Sequence, residues 1–460
     1  MLPMRVALRF IAVSVVALLA ACVIVFEPFT QVYENPDTSS GGVGTESSDD
    51  VGTAWIAPVN DGGYFLAGWT ASTPRYLLAR RTDASGVSVW EHVLSDLPAT
   101  PSIFGTRQVS DGGFLVWGYY SATGVANEAF VLKITGDGQT AWTHTFGGPG
   151  LDYAYELVER SDGYVFTGAT NSSGAGDFDV WVVELDYEGN VVRADTFGGT
   201  GDDEAMDLDA TSDGGFVVAA KNPSAGAGAG HIEVLRYASS GALAWNVFIG
   251  PVGSNAEPAA IRSSPDGGVF VSGYEDVPNM MGTKAIGHLY KLSNAGAVLW
   301  DAPSTDDWRT IGGPIAVASD GSVVQVRTSR PELGNTNRAS FTRYSSTGGQ
   351  LATSSWPLSS MPLYSGWSPY TVLATSDGGY VVLAALYDGA VSHPFTVIKV
   401  DASLQRQWFI DWTGDPGSVH LGTTLDGWFV VCGYPPQPYT PGTQTWLVRP
   451  GTDGTVVPPS

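Results

Sequence analysis

An all-β fold is what this sequence predicts: a single ring of eight four-stranded sheets, with seven as the fallback count. Three observations predict it. An Asp-Gly turn recurs at Asp61-Gly62, Asp111-Gly112, Asp162-Gly163, Asp213-Gly214, Asp266-Gly267, Asp320-Gly321, Asp377-Gly378 and Asp426-Gly427, and a period of about 50 residues marks a repeat architecture. Most of these turns open a β-branched or aromatic run, as in YFLAG from 64, FLVWG from 114, YVFTG from 164, FVVAA from 216 and YVVLA from 380, which reads as strand. Gly 58, aromatics at 11% and charged residues at only 15% supply turns and large flat side chains, a mix that suits sheet better than helix.

The elements follow in a fixed order. A short strand (154–158, 205–210) leads into Ser-Asp-Gly, where Gly accepts φ > 0 and Asp bonds its own backbone, closing a tight hairpin. The second strand is the apolar run. A variable loop and a third strand follow, FVLKI from 130 or VWVVELD from 180. A Gly turn (Asp83–Gly86, Asp137-Gly138, Asn294–Gly296) then opens a fourth strand that carries Trp90, Trp142, Trp245, Trp300, Trp356 or Trp408. Four short strands per repeat, with no helical stretch, describe a β-propeller blade. A β-solenoid has shorter coils and lacks a hairpin in every repeat. Two segments could complete the last blade, Thr455–Val457 or Phe29–Tyr33.

Between blades the chain repeats a phrase: TFGGPGLDYAYELVERSDG from 145 and TFGGTGDDEAMDLDATSDG from 196. This phrase resembles the bacterial β-propeller repeats of the SBBP type. The match is closest over 143–220 and looser in the later blades, and it covers about 51–457. The resemblance implies the propeller fold and an extracellular habit, and it brings no catalytic residues.

The first residues, MLPMRVALRFIAVSVVALLAACV, have the form of a secretory signal, with a basic start, an apolar run and small residues before Cys22. Leu19-Ala20-Ala21-Cys22 resembles the lipobox of bacterial lipoproteins. That resemblance implies cleavage after residue 21, lipidation of Cys22 and, with Ile24 rather than Asp at the second following position, an outer-membrane or cell-surface location. Val23–Phe26 prolong the apolar run, so an uncleaved anchor is the alternative. Residues 1–21 are therefore read as signal peptide, 22–50 as lipid anchor and flexible tether, 51–457 as propeller and 458–460 as a tail.

The net charge of −24 repels phosphate backbones and argues against nucleic acid as a partner. The two cysteines, Cys22 and Cys432, make no disulfide framework. Cys432, in the strand-like WFVVCGY, is expected as a buried thiol. Asp202, Asp203 and Glu204 form an acidic cluster whose oxygens suit Ca²⁺; the competing reading makes them caps of a Gly-rich turn. The tryptophans are expected to wedge between blades rather than to stand as exposed sugar platforms. Trp90, Trp142, Trp245 and Trp300 also follow Gly as in the docking motifs of quinoprotein dehydrogenases, but the adjacent cysteine pair of that family is absent. The six histidines are scattered, and no nucleophile, zinc or phosphate-loop motif appears.

Three long, individual loops are expected on one face, from 275, from 328 and from 434. They carry Met280, Met281, Arg330, Tyr434 and Tyr439, residue types that anchor interfaces. The function expected from the sequence is that of a membrane-anchored, extracytoplasmic binding or scaffolding module for a protein or glycan. It is expected to be no enzyme and to need no cofactor beyond that possible Ca²⁺. The alternatives are a polysaccharide-active enzyme with a carboxylate pair in the central channel, or an outer-membrane assembly factor.

Overall fold

The structure, a computed structural model, describes residues 51–448 apart from 71–75, 85, 96–100, 122–125, 225–230, 251–254, 280–281, 305–308, 331–337, 358–365, 388–394, 412–418, 425–426, 428 and 434–445. Its strands assemble into eight antiparallel sheets, each built from consecutive strands. Blade one runs from Val51 to Leu94, blade two from Pro101 to Phe146, blade three from Asp152 to Phe197 and blade four from Glu204 to Ile249. Blade five spans Asn255–Asp301, blade six Arg309–Pro357, blade seven Gly366–Asp411 and blade eight Val419–Val448. Six sheets have four strands. In blade six the first strand is split into Arg309–Ile311 and Ile315–Val317, and blade eight shows three strands among the described residues.

Period-2 alternation buries both faces of every middle strand, so each blade packs on two neighbours. Eight apolar clusters result, one at each seam. Phe65 and Phe114 stack between blades one and two, with ring centroids 4.1 Å apart. The last seam joins Val430 and Cys432 of blade eight to Ile56, Tyr64 and Leu66 of blade one. The ring is therefore closed by blade eight on blade one, and Cys432 is a buried core thiol. The eight-bladed all-β reading stands.

The outer tryptophans are wedges, as expected. Trp90, Trp142, Trp245 and Trp300 each donate an indole N–H to a turn carbonyl of the next blade, on Gly136, Tyr187, Asn294 and Ser346, at 2.8–3.1 Å. Beneath Trp142 lies Gly189 with φ 82°, where a Cβ would sit 2.9 Å from the indole. The turn needs glycine both for its backbone and for the ring above it.

One of the expected long loops is largely strand, and a second is strand at both its described ends. The hairpin of blade five pairs without a break up to Asn279 with Gly282. In blade six, Val323–Arg330 and Arg338–Tyr344 extend into the segment expected as loop. Paired strands satisfy backbone groups that an irregular loop leaves to water, and β-branched Val277 and Thr283 favour them.

Candidate functional site

The two faces of the ring are built differently. On the Asp-Gly face, the turn aspartate of blades one, two, four, five, six and seven accepts a hydrogen bond from the amide two residues on, as Asp111 does from Gly113 at 2.8 Å and Asp266 from Gly268 at 2.9 Å. It also takes a buried or half-buried cation from the third strand. The pairs are Asp61–Arg81, Asp111–Lys133, Asp213–Arg236, Asp266–Lys291, Asp320–Arg343 and Asp377–Lys399. Thr211 and Arg236 hold the Asp213 carboxyl down to about 2.

Blade three breaks this rule. Glu184 stands in the cation's register position, opposite Val165 as Lys133 is opposite Leu115. Arg160 supplies the charge from the first strand instead, pairing with both Glu184 and Asp162 and donating to Ser239 O at 2.6 Å. Arg193 replaces the wedge tryptophan and donates to Gly241 O in blade four.

The opposite face carries the blade crossings, and here the repeated phrase finds its purpose. Asp152 and Asp203 are fully buried. Asp152 accepts from Gly148 N at 2.9 Å, Ser172 Oγ at 2.6 Å and Thr170 Oγ1. Asp203 accepts from Gly199 N at 2.8 Å and Ser224 N at 3.1 Å, and its own amide donates to Phe178 O at 2.7 Å. Each aspartate thus ties the Gly-Gly crossing to a hairpin loop of the preceding or following blade. The cluster Asp202, Asp203 and Glu204 is not drawn together around one point. Asp202 is exposed, Asp203 faces inward, and Glu204 accepts from Tyr155 Oη at 3.1 Å. Among the described residues no group of three or more His, Cys, Asp or Glu is placed to hold a metal ion.

From blade eight through blade one to blade seven, the first strands of adjacent blades pack on one another around the central channel. In blades one, two, three, four, five and seven the first strand carries a β-bulge, at Ala54, Phe104, Tyr155, Met206, Ala259 and Tyr370. A bulge adds one unpaired residue and turns its side chain away from the sheet. Met206 is 45% exposed and Tyr370 54%.

In blades two and three the bulge rings join others into a shelf. Phe104 meets Tyr119 at 5.3 Å and Tyr155 at 5.5 Å, and Tyr119 meets Tyr153 at 5.0 Å. Tyr153 lies nearly parallel to Tyr155 at 5.8 Å and touches Phe178 at 5.7 Å. All five rings are half-buried, an uncommon condition for contacting aromatics in a protein whose core is otherwise closed. Asn127 donates to Tyr153 Oη at 3.1 Å. Burial and then Glu204 push the Tyr155 phenol up.

One residue past the bulge, Glu156 and Asp207 occupy the same position in adjacent blades. Arg262 pairs with Asp207 at 2.5 Å, and Arg107 stands 3.7 Å from Glu156. Burial, reinforced by Asp207 and opposed by Arg107 and Arg262, raises the Glu156 carboxyl to about 7.

Of the loop residues expected as anchors, Arg330 ends a strand of blade six, while Met280, Met281, Tyr434 and Tyr439 lie outside the described residues, as does Cys22. The shelf was not anticipated from the sequence. Its one signal is the aromatic pair in DYAYE, where the sister phrase reads DEAMD.

No family model matches the chain, and no curated protein matches it. Solved structures of similar fold include a BBS1 chain in complex with ARL6, at 11% identity and TM-score 0.38 over 73% of this chain and 89% of that one. An ulvan lyase, described as a polysaccharide lyase, is similar at 9% identity and TM-score 0.44 over 90% and 96%. A puromycin hydrolase is similar at 13% identity and TM-score 0.43 over 83% of this chain. The match covers only 58% of the hydrolase's own length. At these identities the likeness is one of fold. One expectation is corrected, that of no enzyme: the solved structures similar to this chain include one described as a polysaccharide lyase and, over part of its length, a puromycin hydrolase.

Proposed function

We propose that this chain is an extracytoplasmic, lipid-anchored propeller that binds a glycan on the aromatic shelf at the mouth of its channel. The observation that carries the reading is the run of five half-buried rings, Phe104, Tyr119, Tyr153, Tyr155 and Phe178, in mutual contact across blades two and three. Flat apolar faces pack against the C–H faces of sugar rings, while polar groups beside them, here Asn127 and Glu204, take hydroxyls. The lipobox-like Leu19-Ala20-Ala21-Cys22 and the tether to residue 50 support attachment to a membrane surface, and the repeats' resemblance to SBBP blades supports an extracellular setting.

The test is binding of the purified chain to a panel of immobilised polysaccharides, alongside Tyr155→Ala and Phe104→Ala variants. A polysaccharide bound by the native chain and released at least tenfold more readily by both variants is the expected outcome. Retention of all binding by both variants would move the site elsewhere, and capture of a protein partner through these same residues would replace glycan by protein. Cys22→Ser, expressed with the native chain, should shift the protein from the membrane to the soluble fraction.

A further inference from the structure

We propose that the seam between blades five and six holds a second binding site, centred on Arg327, that takes the carboxylate of a small hydroxy acid. It stands apart from the aromatic shelf and does not depend on it.

Its first sign is a departure from the repeat. In the other seven blades the second-strand runs YFLAG, FLVWG, YVFTG, FVVAA, VFVSG, YVVLA and FVVCG end on Gly or Ala and keep an apolar residue two places earlier. Blade six reads VVQVR in the same register, Val323 pairing with Tyr344 as Phe216 pairs with Tyr237. Val323 and Tyr344 pack on blade five, so strand alternation turns Gln325 and Arg327 to that seam. Gln325 Nε2 donates there to His288 O at 2.8 Å. Gln325 is 0% exposed and Arg327 8%.

Arg327 also lacks what the other buried cations have. Lys133, Arg160, Arg236, Lys291 and Lys399 each meet a carboxylate. Among the described residues Arg327 meets none: Nη2 donates to Thr342 Oγ1 at 2.8 Å, and Nε and Nη1 find no acceptor. A guanidinium keeps its charge when buried, and a buried charge without a counter-ion is costly. Two more buried atoms of blade six, Thr310 Oγ1 and Gln325 Oε1, are without a partner among the described residues. Thr310 faces blade five as well, its Cγ2 lying 3.1 Å from where a Cβ on Gly287 would sit.

The repeat shows what would match them. In blade three Thr170 pairs with Asp152, whose buried carboxylate serves the seam; in blade six the corresponding pair is Ser329 with Thr310. Blade six has thus exchanged a carboxylate for a hydroxyl and a small residue for a guanidinium. A carboxylate from outside restores the balance. Its oxygens accept from Arg327 in charge-assisted hydrogen bonds and from the Thr310 hydroxyl, while a hydroxyl on the neighbouring carbon donates to Gln325 Oε1. Further hydroxyls lead to the blade's outer edge: Ser329 Oγ lies 2.7 Å from Ser340 Oγ, which lies 3.1 Å from that of exposed Ser355. So enclosed a seam suits a small acid and not a polymer.

The test follows unfolding of the full-length chain in detergent by tryptophan fluorescence, with sodium lactate, acetate or sulfate against sodium chloride at equal ionic strength. Lactate should raise the midpoint saturably, acetate less, and sulfate no more than chloride. Arg327→Met, which keeps the stem and removes the charge, should abolish the lactate shift. Without lactate its midpoint should equal or exceed the native one, since an unmatched buried charge is gone. Arg327→Lys keeps the charge without the fork and should weaken lactate about tenfold. Phe104→Ala should leave the lactate shift unchanged, so that failure of the shelf and failure of this site are read separately. No lactate shift, a shift that survives Arg327→Met, or a larger shift from sulfate overturns the assignment. An Arg327→Met midpoint well below the native one overturns it too, by showing the guanidinium to be matched within the chain. Acetate as effective as lactate overturns the contact to Gln325.

Discussion

Arg160→Leu is the sharpest perturbation available, because blade three is the one described blade in which the repeat's charge pattern is inverted. The Arg160 side chain is 2% exposed and that of Glu184 10%. Removing the guanidinium leaves a buried carboxylate without its main counter-charge, a change that costs roughly 3–5 kcal/mol. The carboxyl has one escape, which is to take up a proton. From its ordinary value of 4.5, protonation at pH 7 spans 2.5 units and costs about 3.4 kcal/mol at about 1.36 per unit. The easier route limits the loss, so the variant should fall by about 3 kcal/mol at pH 7.

The same reasoning fixes the pH dependence. In the variant the folded carboxyl titrates above its unfolded value, so the penalty is absent below about pH 4.5 and grows as pH rises through and beyond it. At pH 5 the cost of protonation is about 0.7 kcal/mol, and the variant should then lie close to the native chain. Urea unfolding followed by tryptophan fluorescence reads both quantities, provided the slope of the transition is unchanged. Glu184→Met in the Arg160→Leu background removes the stranded charge and should recover most of the loss at pH 7, giving a coupling of about 2–3 kcal/mol in the double-mutant cycle. A loss that is the same at pH 5 and pH 7, or that Glu184→Met fails to relieve, would refute the stranded-carboxylate account and leave lost packing as the cause.

Three further outcomes are expected. Gly189→Ala places a Cβ under Trp142 in a backbone at φ 82° and should cost about 1–3 kcal/mol, whereas Trp142→Phe loses the N–H to Tyr187 O and part of the ring's packing and should cost about 1–2 kcal/mol; urea midpoints compare them. Burial lowers the His420 imidazole from 6.5 to about 4 at the seam where it lies 4.1 Å from Trp55, so stability is full above 6.5 and is lost as pH falls toward 4; proteolysis across that range should open blade eight first in the native chain and not in His420→Phe. At His288 burial pulls the imidazole down, but Asp301 at 2.9 Å and Glu275 outweigh it and raise it, so its contribution is full below 6.5 and lost as pH rises through the folded value; His288→Gln should flatten that limb of the stability profile.

The repeat was legible because its devices sit at fixed offsets. An Asp-Gly turn, a β-branched run and a wedge tryptophan are local patterns, and local patterns survive in a string of letters. What the string hid was set by pairing between distant residues. The partner of Glu184 is Arg160, 24 positions away and on another strand, so the inversion in blade three shows only once the register is known. Asp202 and Asp203 are neighbours in sequence, yet one is exposed and the other caps a crossing, because successive residues of an extended chain point to opposite sides. The aromatic shelf was hidden for a related reason. Tyr153 and Tyr155 read as one face of an alternating strand, and the bulge at Tyr155 breaks that alternation.

Eight copies inside one chain act as a comparison of their own. Positions that stay the same from blade to blade serve the ring, since every seam imposes the same demand. The turn aspartate with its third-strand cation, and the indole reaching the next blade, are of that kind. Positions that differ between copies answer to no common structural need. The bulge is such a position: its backbone recurs, but its residue is Ala54, Phe104, Tyr155, Met206, Ala259 or Tyr370. A bulge disrupts the ladder in each blade that keeps it, and only some of its side chains, such as Phe104, pack against a seam. Its effect is to aim a chosen side chain into the channel. The blades whose choices are aromatic and adjacent, two and three, are therefore where a ligand is expected to be held.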